Sequence, residues 1–284
     1  MTPKGPPFDT RHSTLDIFRV LLAFLTRDWR IRRSYRVGLF VSIGHILFAI
    51  TSCFFLGKLI DPHDPHALAP YGGAYFPFVL LGLAGSRYVT TNLSLFAGNL
   101  REEQLQGTLE AMLTTPTSIW AIVLGGAVWE FLWSAVEITA YVVLGVSVFG
   151  VDLGHMNVLA SLVVLGLTLL ALSSLGVLSA SGMLLFKEFD PVTWLVGGIM
   201  RLVGGGYFPV SLLPAWLGAL ASALPLTYAL EGLRQAVLMG RSLGELRDVC
   251  LALSLFAALA WPLALASFAW TLKRLKATGT LSFR

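Results

Sequence analysis

Long apolar stretches alternate with short polar ones along almost the whole chain. Six stretches are long or greasy enough to be read as spans: Val37–Ile60, Gly73–Leu95, Ile119–Phe149, Val158–Phe186, the short Val192–Val203, and Val249–Leu272. A span needs about 20 mostly apolar residues. Ahead of them, Leu15, Phe18, Leu22, Leu25 and Trp29 recur at steps of three and four, with Asp16, Arg19, Thr26, Arg27 and Arg30 opposite. That spacing predicts an amphipathic helix lying in the membrane interface, apolar side toward lipid, with Ser13 and Asp16 as its capping pair. Between the second and third stretches, REEQLQGTLEAMLTTP (101–116) is a polar island with its own greasy stripe of Leu105, Leu109, Met112 and Leu113. A striped helix outside the spans needs a cover, either the membrane surface or a partner protein.

The expected fold is an all-α integral membrane protein. A disordered tail (1–12) precedes a cytoplasmic interfacial helix (13–36) and a six-span domain (37–272). Within that domain lie a coupling segment (98–117) and a re-entrant segment (204–240), and a cytoplasmic tail (273–284) closes the chain. The re-entrant reading comes from Pro209, Pro214 and Pro225, which cut an apolar run into pieces too short to cross. Glu231, Arg234 and Arg241 are read as the points where that run regains water on the outer side.

Composition agrees with this pattern. Of 284 residues, 56% are hydrophobic and only 13% charged, with a mean hydropathy of +0.75. Soluble domains carry about 25% charged residues. The net charge of +4 is no nucleic-acid signal. Arg27, Arg30, Arg32, Arg33 and Arg36 cluster before the first span, and Lys273, Arg274 and Lys276 follow the last, which puts both termini inside the cytoplasmic (inner) membrane. Arg32–Arg33 is similar to a twin-arginine export signal, but no cleavage site follows, so the segment is read as uncleaved. Cys53 and Cys250 lie in apolar stretches and read as buried thiols, with a disulfide near the outer face as the other reading. Asp61–His66 (DPHDPH) reads as a proline turn before a metal site.

Charges inside spans are expensive and mark function by default. Arg87, Glu130 and Arg201 fall roughly 14–17 Å from the inner face at the helical rise per residue, and Glu137 lies further out on the face of Glu130. They form either a structural ion pair (Arg87–Glu130 or Arg201–Glu130), the polar lining of a substrate path, or a proton relay. No phosphate-binding loop, zinc-protease helix or serine-hydrolase elbow occurs, and no residue set is assigned to a metal. The chain is therefore not expected to hydrolyse ATP itself.

Glu103 followed by GTLEAMLTTP (Gly107–Pro116), together with YFPVSLLPAWLGALASALPLTYALEGLR (Tyr207–Arg234), resembles the permease subunits of type-2 ABC exporters. The resemblance covers nearly the whole chain after residue 12. It implies two permease chains paired as a homodimer or with a second permease, each docked on a separate ATPase that carries ATP and Mg. It implies ATPase coupling through Glu103, Leu105, Gly107, Thr108, Leu109, Glu110, Met112, Leu113 and Pro116. Residues 13–30 would be the interface helix, and re-entrant helices bearing Tyr207, Pro209, Pro214, Pro225 and Tyr228 would close the exit. The expected substrate is amphipathic (drug, lipid or glycolipid). Two other classes stay open: an ATPase-independent channel or ion-coupled carrier using Arg87, Glu130 and Glu137, and a membrane enzyme acting on lipid-linked substrates.

Overall fold

The computed structural model describes residues 14–278 apart from 35, 60–67, 69–70, 72, 109–118 and 187–189. The calls on the N-terminal tail, on Asp61–His66 and on Leu109, Glu110, Met112, Leu113 and Pro116 therefore lie outside the described residues, as do the side chains of Leu15, Phe18 and Arg201. The described residues form helices and no strand: α1 (Thr14–Ser34), α2 (Arg36–Leu59), α3 (Tyr75–Leu105), α4 (Ile119–Ser147), α5 (Val158–Phe186), α6 (Pro191–Val203), α7 (Ala215–Ser222), α8 (Pro225–Leu238) and α9 (Arg247–Thr278), with a 3₁₀ turn at Val210–Leu212.

Among the described residues, four helices are long and apolar enough to cross a membrane, over Phe40–Lys58, Val123–Ser147, Val158–Phe186 and Arg247–Leu275. The remaining two expected spans differ for separate reasons. At 13 residues, α6 is about 20 Å long by the helical rise, short of the roughly 30 Å hydrocarbon core. Asp190 caps its start, Oδ1 accepting from the Thr193 N–H at 3.0 Å, and Pro191 occupies the first turn, where its missing N–H costs nothing. By contrast α3 has length in excess: its 31 residues reach about 46 Å. Its polar residues dilute its hydropathy, which the structure tolerates because α3 is the helix at the middle of the bundle. It packs on α2, α4, α5, α6 and α8 and buries Phe78, Leu81, Leu93 and Phe96.

Small residues let α5 sit equally deep. Ala160, Ala171, Ser174, Ser179 and Ala180 are all fully buried, and its start is capped by Asn157, whose Oδ1 accepts from the Ala160 N–H at 3.0 Å. The longest helix, α9, has 32 residues and carries Pro262 inside it. It does not stop at Leu272 but continues through Lys273 and Arg274, so the first residues assigned to a tail extend the helix. Cys53 and Cys250 are both free thiols.

The segment 204–240 is broken into short pieces, as its prolines demand. Pro209 precedes the 3₁₀ turn, Pro214 precedes α7 and Pro225 opens α8. Far from returning to water, α8 inserts against α3, α5 and α9 and buries Leu226, Leu230, Leu233 and Val237.

Candidate functional site

At one end of the bundle α1 lies against α4 and reaches α3. Gly125 makes the seat: a Cβ there would fall 2.5 Å from Phe24 Cδ2, so only glycine lets the Phe24 ring of α1 lie on α4. Two arginines of α1 then bridge to separate helices. Arg27 Nη1 lies 2.8 Å from Glu103 Oε1 on α3, and Arg32 Nη2 lies 2.8 Å from Glu130 Oε1 on α4. Arg27 also touches Asp28 at 2.8 Å. Burial works against the Arg27 charge, but hydrogen bonds and charge from Asp28 and Glu103 outweigh it and raise the guanidinium pKa. A polar chamber of about 240 Å³ opens between the three helices, bordered by these residues and by Asn99, Glu102 and Trp129.

The coupling segment begins inside α3 rather than as a helix of its own. Arg101–Leu105 form the last turns of α3, and Leu105 is 67% exposed there. Gln106 N–H bonds back to Glu102 O at 3.0 Å and Gly107 N–H to Gln104 O at 3.1 Å. Gly107 then takes φ +69°, the left-handed conformation that ends helices and that glycine adopts without strain. Just beyond, the Thr108 hydroxyl donates to the Glu103 carboxylate. Glu103 thus receives both Arg27 and Thr108. Of the interface-helix residues, Leu22 and Trp29 are exposed at 44% and 55%, Leu25 is half-buried, and Trp29 meets Trp129 edge-on at 5.8 Å.

The described intramembrane charges pair differently from the expected Arg87–Glu130, while the Arg201 alternative lies outside the described side chains. Glu130 bonds Arg32 of α1 instead. Arg87 instead pairs with Glu137, Nε to Oε2 at 3.3 Å, and Trp133 Nε1 donates to Glu137 Oε1 at 3.0 Å. Glu137 is buried while the Arg87 side chain is 51% exposed. A cavity of about 300 Å³ adjoins the pair, lined also by Ser42, His45 and Tyr141.

At the other end, Arg234 overturns the idea that it marks a return to water, because it is 3% exposed. Its guanidinium donates to three carbonyl oxygens: Phe78 at 3.1 Å, Gly205 at 2.8 Å and Gly206 at 3.1 Å. It also lies 3.5 Å over the Phe78 ring. The broken backbone at Gly204–Gly206 leaves carbonyls that no helix satisfies, and the arginine answers them. Gly82 lets the turn approach, since a Cβ there would fall 1.9 Å from Gly206 O. Tyr75 Oη donates to Tyr207 O at 3.1 Å, Tyr71 Oη to Glu231 Oε2 at 2.5 Å, and Tyr228 Oη to Ser222 O at 2.8 Å. The triple glycine before Tyr207 was the sequence signal for this clamp.

Crossing-length apolar helices packed around a long, partly polar central helix define a multi-pass membrane protein, braced at one end by charged pairs. The chain belongs to the ABC-2 type transporter family, whose model matches residues 18–238, and it is accordingly a membrane transport subunit rather than a catalytic one. It is 29% identical over 217 residues to Nodulation protein J of Rhizobium leguminosarum bv. trifolii, covering 73% of this chain and 79% of that protein. It is 28% identical over 171 residues to Nodulation protein J of Rhizobium meliloti (strain 1021), covering 59% and 63% respectively.

Proposed function

We propose that this chain is the membrane-spanning permease subunit of an ATP-driven exporter, working as one of a pair and powered by a separate ABC ATPase. In this reading it has six spans with α3 and α6 completing the set, and both termini face the cytoplasm across the inner membrane. Segment 204–240 closes the outer exit, and ATP and Mg reside on the ATPase. The observation that carries the reading is the continuity of α3. One rigid helix runs from the middle of the bundle to the Glu103–Thr108 turn, ends by presenting Leu105 to the outside, and is held there by Arg27 of α1. A push on that turn is transmitted along the helix to the bundle core.

The turn is where a nucleotide-driven partner would grip. The substrate is an amphipathic molecule, moved out of the cytoplasm or inner leaflet. The test is co-purification from native membranes of wild type and Leu105→Asp. A stoichiometric ATPase retained by wild type and lost from the variant supports the reading, whereas a chain that purifies with no nucleotide-binding partner defeats it.

The Arg87–Glu137 pair beside its cavity favours a second reading, an ATPase-independent channel or carrier. That reading requires transport by the purified chain alone in vesicles, which the first forbids.

A further inference from the structure

Two cavities meet at Arg32 and Trp129, which line both. One is the polar chamber described above. The other, of about 520 Å³, is walled by Trp29, Phe40, Ile43, Trp129 and Trp133, with Arg32 and Arg33 its charged lining residues. Among its described lining residues the polar chamber carries two guanidiniums (Arg27, Arg32) against four carboxylates (Asp28, Glu102, Glu103, Glu130), an excess of negative charge. One buried donor, Trp129 Nε1 at the junction, finds no hydrogen-bond partner among the described residues. A buried donor left unpaired is costly, so it calls for an acceptor from outside. Arg33 is exposed and has no carboxylate partner among the described residues.

Together these features describe an amphiphile with both signs of charge in its head group. We propose that the crevice between α1, α2 and α4 binds a zwitterionic bilayer lipid with a primary ammonium, a phosphatidylethanolamine. An acyl chain fills the tryptophan-walled cavity, the phosphate meets Arg33 and the Trp129 N–H, and the ammonium enters the carboxylate-rich chamber. An anionic lipid would satisfy Arg33 but bring no cation to the carboxylates. A choline head group offers them methyls instead of N–H donors. A neutral glycolipid leaves Arg33 without a counter-charge. The proposal rests on the reading of α1 as an interfacial helix, and is independent of any ATPase.

Native mass spectrometry of the full chain, delipidated and titrated separately with phosphatidylethanolamine, phosphatidylcholine and phosphatidylglycerol, tests it. Phosphatidylethanolamine should bind tightest. Arg33→Glu should weaken it roughly tenfold, the scale of one charge-assisted hydrogen bond, and Trp129→Phe should weaken it less while keeping the ring. Arg33 is at the surface, so its variant should fold, and an unchanged unfolding temperature checks this. Phosphatidylglycerol binding as tightly as phosphatidylethanolamine, or phosphatidylethanolamine binding unaltered by Arg33→Glu, would overturn the proposal. Because occupancy is read on the permease alone, loss of an ATPase from co-purification would count against the exporter reading without touching this one.

Discussion

Arginines fasten both ends of this molecule, by opposite physics. At the α1 end, Arg27 and Arg32 meet carboxylates on α3 and α4, with the Arg27 and Arg32 side chains 40% and 33% exposed. At the α8 end, Arg234 is 3% exposed and meets backbone carbonyls and the Phe78 ring, with no carboxylate at ion-pair distance among the described residues. An exposed ion pair contributes about 0–1 kcal/mol and is screened by salt. A buried guanidinium is held by the acceptors that answer its donors, and its removal strands every acceptor it served. The first fastening can open and close at little cost, which suits a segment that passes motion to a partner. The second fixes the broken segment to α3 as part of the fold.

The strongest test of the contrast is Arg234→Met, which keeps the apolar stem and removes the donors. Three carbonyls lose their partner at about 1–3 kcal/mol for each left unsatisfied. A large fall in unfolding temperature in detergent, with poor yield, is expected, and Arg234→Lys should recover part of it. If Arg234→Met unfolds like wild type, the clamp is ornamental and the contrast fails. Next in size is Gly82→Ala. Its Cβ would meet Gly206 O at 1.9 Å, and the opposing atom is backbone, so the turn must move. Overpacking of this kind costs about 1–3 kcal/mol. Gly98→Ala on the same helix, where a Cβ meets nothing within 4 Å, should be neutral by comparison.

Which parts of this were legible in the sequence follows from what each signal measures. Hydropathy finds segments, and α5 begins and ends where its apolar run does, at Val158 and Phe186. It could not find the end of α3, because Arg101–Gln104 are polar yet good helix formers and nothing stops the helix before Gly107. Proline breaks were equally plain in 204–240. Burial of α8 was not, because Arg234 was read by its charge while the carbonyls that stabilise it come from residues 28 and 29 positions earlier and from Phe78. The Arg87–Glu130 pairing differed for the same reason: Arg32 lies 98 positions from Glu130, and depth counted along one helix says nothing about which neighbour meets it. Glu103 and Gly107 were picked out by motif, and the structure adds Arg27 to them.

The smallest expected effect is the most informative about function. Breaking Arg27–Glu103 by Glu103→Gln removes one exposed pair and leaves the Thr108 hydroxyl an acceptor. Stability should fall by about 1 kcal/mol or less, and the difference should shrink further in high salt. A double-mutant cycle with Arg27→Gln, read by thermal unfolding, isolates the pair, since neighbours in contact couple by about 0.5–3 kcal/mol. If the turn transmits motion, the same variants should lower ATP-driven transport well beyond their effect on stability, because a loosened α1 no longer holds the end of α3 against a push. Transport that falls only in step with stability would make the brace a structural pair like any other. The difference between the two ends of the molecule would then be one of burial alone.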